Sequence, residues 1–385
     1  MRLLVVTPPQ FGHVRPALPL ARALAAARHR VAWASGADAL SRLADEPVEA
    51  IVCGPTSAQA RERLHACWPD LDRLTPREHG PAMRHRLFGE VVVAAMAPAL
   101  ERCLDDWRPD AVLHDPLALA VRPACRARGV PSVEHAFGWP LPPLPPRDGS
   151  ASALVRRPGA PECAPGLSIE IVPAALRGAC AGPAREEIEC RPVERRPPDT
   201  ALLPDPVRDL AARTDAGPLV LVSFGTAFHG RSALRHVAEM LARMPVRSIV
   251  LGTDRAALGV PSSPRQLCLP WLDQSAILPF CRAAVTHGGA GTVLGALAHG
   301  CPLVVLPQGA DHHRNAEAVV RAEAGCAFEE PLDRAQLRPA LDRLLEGDGR
   351  PGAEAAARAI AAMPAPAAAA ARLVEALGGG AARPR

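Results

Sequence analysis

Val285-Thr286-His287-Gly288-Gly289-Ala290-Gly291-Thr292 is the stretch on which the reading of this chain turns. Ala283 to Thr286 has the composition of a buried strand, and a helical run to Ala298 follows the glycines, stopped by Gly300 with Pro302 beyond. Glycines between a strand and a helix leave backbone N–H groups unobstructed at the positive end of the helix dipole, the arrangement that cradles a diphosphate or another anion. His287 and Thr292 add side-chain donors to the same place. The same residues also suit a tight strand-to-helix turn that holds no ligand. Two common phosphate motifs are excluded. A dinucleotide fingerprint counted from Gly289 needs glycine at position 294, which is Leu294, and a P-loop needs a lysine, which the chain lacks altogether.

Outward from this stretch, strands and helices alternate in both directions. Upstream, Leu3 to Val6 reads as a buried strand stopped by Pro8 and Pro9, and Leu18, Ala21, Leu24 and Ala25 recur at helical spacing. Val31 to Ser35, Ile51 to Cys53, Ala111 to Leu113 and Ile169 to Pro173 read as further strands, with helices around 38–43 and up to Arg128, capped by Gly129. A Pro-rich loop spans Trp139 to about Pro165, and the Pro- and charge-rich Arg191 to Pro206 reads as the linker. Beyond it come strands at Leu219 to Phe224, Arg247 to Leu251 and Leu303 to Leu306, a turn at Gly225-Thr226, and a helix at Ser232 to Arg243. The expectation is an α/β protein of two doubly wound, Rossmann-like domains, 1–200 and 201–385, facing across a cleft where ligands of such sheets sit.

Composition narrows the class. The chain has 385 residues, 48% hydrophobic and 22% charged, which is globular and large enough for two ordinary domains. A net charge of +4 with no separate arginine-rich run argues against a nucleic-acid binder. The 11 cysteines form no CxxC pair, which reads as reduced, mostly buried thiols in a cytosol. The N-terminal Met1 to Pro9 reads as a strand, not a secretory leader, and no stretch reads as a membrane span. A soluble cytoplasmic protein is expected.

The remaining chemistry lies at strand ends. Trp271-Leu272-Asp273-Gln274 follows the strand-like Leu267 to Leu269. Its indole either stacks on a flat ligand such as a nucleobase or packs between domains, and composition alone favours packing. Leu306 to His313 brings Asp311, His312 and His313 after another strand, where a carboxylate and imidazoles meet a polyhydroxylated ligand. Adjacent histidines there do not have metal-ligand spacing, so no metal is expected. His13 follows the first strand; it is either a packed or surface residue or a base for a hydroxyl proton. Asp115, after Ala111 to Leu113, either orients His13 or caps a helix beginning near Pro116. Met83, Phe88, Val91 and Met96 on one helix, with Phe137 and Trp139 in the next loop, either line an apolar pocket or pack the core.

The block from Trp271 to Asn315 resembles the nucleotide-sugar signature of glycosyltransferase family 1, fold type GT-B, and most of all its bacterial natural-product branch. Gly12-His13-Val14-Arg15-Pro16 and Ser223-Phe224-Gly225-Thr226 match the same family in order and spacing. The resemblance implies an inverting, metal-independent glycosyltransferase using a dTDP- or UDP-sugar, without cofactor, on a small hydrophobic acceptor. It implies His13 as catalytic base with Asp115. Trp271, Leu272 and Gln274 would hold the base, and Gly225, Thr226, His287, Gly288, Gly289, Ala290, Gly291 and Thr292 the diphosphate. Asp311 and His312 would face the sugar, although the family usually has glutamine at the second position. Met83, Phe88, Phe137 and Trp139 would line the acceptor site. Gly295 stands where plant relatives carry a ribose-binding glutamate, which makes dTDP at least as suitable as UDP. A homodimer, an activator protein, a nucleotide-sugar epimerase of the same fold and a non-catalytic nucleotide-sugar binder also remain open.

Overall fold

A computed structural model describes residues 1–141, 166–178, 186–195, 197–225, 231–329 and 334–379. The chain divides into two compact units. The first comprises Met1–Pro173, Ala179–Pro192 and Met363–Arg385, and the second Ala174–Gly178 and Val193–Ala362.

The first unit is built on seven parallel strands: β1 (Arg2–Val6), β2 (Arg30–Ser35), β3 (Glu49–Val52), β4 (Ala111–His114), β5 (Ser132–His135), β6 (Leu167–Glu170) and β7 (Glu186–Glu189), in the order β3-β2-β1-β4-β5-β6-β7. β1 reads as an unbroken apolar run because both its faces are covered. Leu4 and Val6 face a layer containing the helix Val93–Trp107, and Leu3 and Val5 face one containing the helix Leu18–Ala26. The strand order reverses at β1, which lies between β2 and β4, and the crevice outside the carboxyl ends of β1 and β4 is the switch point of this sheet.

The second unit repeats the scheme with β8 (Leu219–Ser223), β9 (Arg247–Leu251), β10 (Gln266–Leu269), β11 (Ala283–Thr286), β12 (Leu303–Val305) and β13 (Gly325–Ala327), ordered β10-β9-β8-β11-β12-β13. Its switch point lies between β8 and β11. One face is packed by Leu234, Val237 and Leu241 of the helix Arg231–Ala242 and by Leu337, Leu341 and Leu344 of the helix Arg334–Glu346.

Three differences from the sequence expectation are instructive. The last helix, Pro366–Gly379, belongs to the first unit and not to the C-terminal one: Ala369, Ala370 and Leu373 are buried beside Leu20 and Leu24, and the Arg191 amide donates to the Pro364 carbonyl at 2.9 Å. β5, β7 and β13 are additional strands. Ser-Val-Glu-His and Glu-Glu-Ile-Glu carry too few apolar residues to declare themselves, and Gly-Cys-Ala is only 3 residues long. The segment after Asp115 is a turn, and the helix begins at Val121. The Pro-rich loop beyond Leu141 lies largely outside the described residues, up to 165. Among the described residues the cysteines are free thiols, and no single helix is long and apolar enough to cross a membrane.

Candidate active site

At the first switch point, β1 leads through Pro8 and Pro9 into the short helix Phe11–Val14, which carries His13; β4 leads directly into Asp115. The two side chains meet, His13 Nδ1 lying 2.9 Å from Asp115 Oδ2. The other carboxylate oxygen accepts the Leu117 amide at 2.7 Å, and the Asp115 amide donates to Val6 O at 3.0 Å, so the backbone of Asp115 is tied to β1 and its carboxylate to the turn that follows. Asp115 thus contacts the imidazole, and instead of capping a helix near Pro116 it closes a local turn, since the helix begins only at Val121. A carboxylate only accepts, so Nδ1 carries a hydrogen, and in the neutral ring Nε2 is then the nitrogen that can take a proton. The His13 side chain is 13% exposed and that of Asp115 is 2% exposed.

Phe88 and Phe137 flank the imidazole, with ring centroids 5.3 and 4.5 Å from it and planes tilted by 59° and 54°. Phe88 sits in a π-helical stretch, Arg84–Val92, between two α-helical segments; such stretches are rare and frequent at functional sites. Met83 is half-buried against the same layer. Trp139 is buried, and Met96 is fully buried beneath Gly54, its Cε 3.3 Å from where a Cβ would stand, so Met96 is core and not pocket.

The second switch point is assembled from turns. Gly225 follows β8, and His287-Gly288-Gly289 follows β11 and opens the helix Ala290–Ala298. The His287 ring lies between the turns: a Cβ at Gly225 or at Gly289 would come within 2.8 Å of its Nε2. Both glycines are thus required by the imidazole. Gly288 has φ +96° and a Cβ there would meet His312 O and Val305 Cγ1 at 3.0 Å. Gly291 is different, for among the described residues a Cβ there meets nothing within 4 Å.

His287 Nδ1 lies 3.3 Å from Ser223 O, which can only accept, so the hydrogen is on Nδ1. Burial, reinforced by His312 nearby, pushes its pKa down to about 3. The His312 ring stands edge-on to it at 4.5 Å, is itself buried, and accepts the Gln308 amide on Nδ1 at 3.3 Å. Among the helix-head amides, Gly288 donates to Thr286 Oγ1 at 3.2 Å and Thr292 to Gly289 O at 3.0 Å. Among the described residues Gly289, Ala290 and Gly291 have no such partner, which leaves them for an anion at the helix N-terminus.

Around this nest, Trp271 is 66% exposed, an indole standing free of the core, while Leu272 is buried. Gln274 Nε2 donates to Ser223 Oγ at 2.9 Å, so it is tied to the end of β8. Asp311 is half-buried at the start of the helix His312–Arg321. Thr226 lies outside the described residues. Two residues that the sequence reading gave no role are structurally central here: Ser223, which joins His287 to Gln274, and Asn315, which contacts Gly288 and Asp311. The spacing of Asn315, four residues after Asp311 on a helix, was the available signal. Among the described residues no group of three or more His, Cys, Asp or Glu side chains is placed to hold a metal ion.

Two doubly wound parallel sheets, each with polar groups at its switch point, define the GT-B class. Residues 248–376 match the C-terminal domain of the erythromycin biosynthesis protein CIII-like family. The chain is 32% identical over 403 residues to the elloramycin glycosyltransferase ElmGT of Streptomyces olivaceus, covering 98% of both chains. Its fold is that of the glycosyltransferase SnogD from Streptomyces nogalater, with a TM-score of 0.75, 24% identity, and 98% and 99% of the two chains covered. It is equally similar to the spinosyn rhamnosyltransferase SpnG complexed with thymidine diphosphate, with a TM-score of 0.75, 21% identity, and 97% and 100% covered. The chain belongs to the GT-B natural-product glycosyltransferases, and it is an enzyme that transfers a sugar from a nucleotide-sugar donor.

Proposed function

We propose that this enzyme is an inverting, metal-independent transferase that moves a deoxysugar from a dTDP-sugar onto a hydroxyl of a hydrophobic natural-product acceptor. The observation that carries the reading is the contact of 2.9 Å between His13 and Asp115. In the step, His13 Nε2 takes the acceptor hydroxyl proton while Asp115 steadies the forming imidazolium. The acceptor oxygen attacks the anomeric carbon opposite the diphosphate; the carbon–oxygen bond to the diphosphate breaks and its electron pair leaves on dTDP. The amides of Gly289, Ala290 and Gly291 at a helix N-terminus, with the Gly225-Thr226 turn, His287 and Thr292, would stabilise that leaving charge.

The preference for dTDP is supported by Gly295. It is buried, and Leu278 Cδ1 lies 3.3 Å from where its Cβ would stand, so no carboxylate reaches a ribose hydroxyl from here. The thymidine diphosphate in the spinosyn rhamnosyltransferase points the same way. Trp271 would stack on the thymine, beside Leu272 and Gln274. Asp311 and His312 would hold the sugar, and Met83, Phe88, Phe137 and Trp139 would border the acceptor. Cytoplasmic location belongs to the same reading, which is compatible with a homodimer and with an activator protein.

The test is product analysis: the enzyme, a panel of dTDP- and UDP-sugars and polycyclic aglycones, with and without a chelator. The reading expects a glycoside of inverted anomeric configuration and free dTDP, at a rate the chelator leaves unchanged. Retained configuration, a chelator-abolished rate, or an epimerised donor formed without acceptor would overturn it.

A further inference from the structure

We propose that Asn315 is a positioning residue that joins the diphosphate turn to the sugar-facing carboxylate, so that the enzyme grips a nucleotide sugar more firmly than the bare nucleotide. The proposal rests on the donor-site reading of Asp311 given above.

Asn315 is completely buried, one turn into the helix His312–Arg321. Its Nδ2 donates to Gly288 O at 2.8 Å and to Asp311 Oδ2 at 2.8 Å. A carbonyl and a carboxylate only accept, so the amide orientation is dictated by chemistry, and both of its N–H groups are spent on these partners. Its Oδ1 is buried and has no partner among the described residues. An amide kept in a dry site with one end unsatisfied is selected for its other end.

What that end does follows from its partners. Gly288 has φ +96° and no room for a Cβ beside the His312 carbonyl and Val305, and Asn315 holds its carbonyl oxygen. Among the described residues the Asp311 side chain makes no capping bond to the helix that it begins; its Oδ2 accepts from Asn315, one turn away on the same helix face. One side chain thereby fixes the distance between the turn that meets the diphosphate and the oxygen that meets a sugar hydroxyl.

The test is calorimetry with dTDP and with dTDP-glucose on the wild type, Asn315→Leu, Asp311→Ala and the double variant, with thermal melts alongside. Loss of both bonds, the one to the charged Asp311 included, predicts about a 10- to 100-fold weaker grip on dTDP-glucose for Asn315→Leu, with a smaller loss for dTDP, which meets only the slackened Gly288 turn. In the Asp311→Ala background the same substitution should cost dTDP-glucose no more than it costs dTDP. If Asn315→Leu does not fold, Asn315→Ser, which keeps one donor, should show the same split at smaller size. Equal losses for both ligands, or full additivity in the double variant, would overturn the positioning role. If Asp311→Ala alone leaves the preference for dTDP-glucose over dTDP intact, the donor-site reading of Asp311 is what fails, and the proposal falls with it.

Discussion

At the carboxyl ends of β1 and β4 the chain places a pair of reactive side chains, whereas at the corresponding ends of β8 and β11 it places turns from which side chains have been removed. The topology at the two switch points is the same, and the materials are opposite. In the proposed mechanism the first unit's part depends on a side chain being present and aimed: His13 is held by Asp115 and flanked by Phe88 and Phe137. The proposed anion nest of the second depends on side chains being absent, because each glycine admits the His287 ring, the His312 backbone or open space. Deletions should therefore damage the first site and additions the second.

The largest effect should come from His13→Ala. With the base gone, turnover should fall by about 10²- to 10⁴-fold, while dTDP affinity measured by calorimetry stays within about twofold. A variant that kept most of its turnover would remove the base from the first site and end the contrast. Next in size is Gly291→Val. Among the described residues nothing lies within 4 Å of a Cβ there, so its melting temperature should hold, while dTDP binding weakens by about tenfold or more, equivalent to ~1.4 kcal/mol. Gly289→Ala sharpens the point, since its Cβ meets His287 Nε2 at 2.8 Å and should lower melting temperature and affinity together.

The smallest effect concerns buried imidazoles in both units. Burial pushes His135 down to about 4 and His287 to about 3, from an ordinary 6.5. Both are neutral when folded and take up protons when unfolded below 6.5, so their contribution is present above that pH and is lost as pH falls toward the folded values. The slope of stability against pH between about 6 and 4 should be shallower in His135→Gln by at most about 1.4 kcal/mol per unit. Denaturant titrations across that range measure it; an unchanged slope would mean that His135 does not titrate in this way.

The contrast also explains what was legible beforehand. Strands buried on both faces, such as β1 and β8, declare themselves as continuous aliphatic runs, and glycines between a strand and a helix declare a turn. β7 was hidden because an edge strand of Glu-Glu-Ile-Glu has the composition of surface. His13 and the glycine nest stood out as candidates because each lies beyond the carboxyl end of a strand that the sequence declares, the glycines directly and His13 after the Pro8-Pro9 turn. The His13–Asp115 contact spans 102 positions, and the bond from Asn315 to Gly288 spans 27; such pairings are set by the fold, beyond local spacing. Asp311 and Asn315 were within one helical turn of each other, but the second partner, Gly288, was needed to show why the amide is there.

The return of Pro366–Gly379 to the first unit bears on hybrid enzymes. A chimera made by one splice near residue 200, joining the N-terminal half of one homologue to the C-terminal half of another, would import a foreign closing helix onto the native Leu20 and Leu24 surface. Exchanging donor preference cleanly calls for two crossovers, near 192 and 363, so that the transplanted module is an insert and the recipient keeps its own clasp.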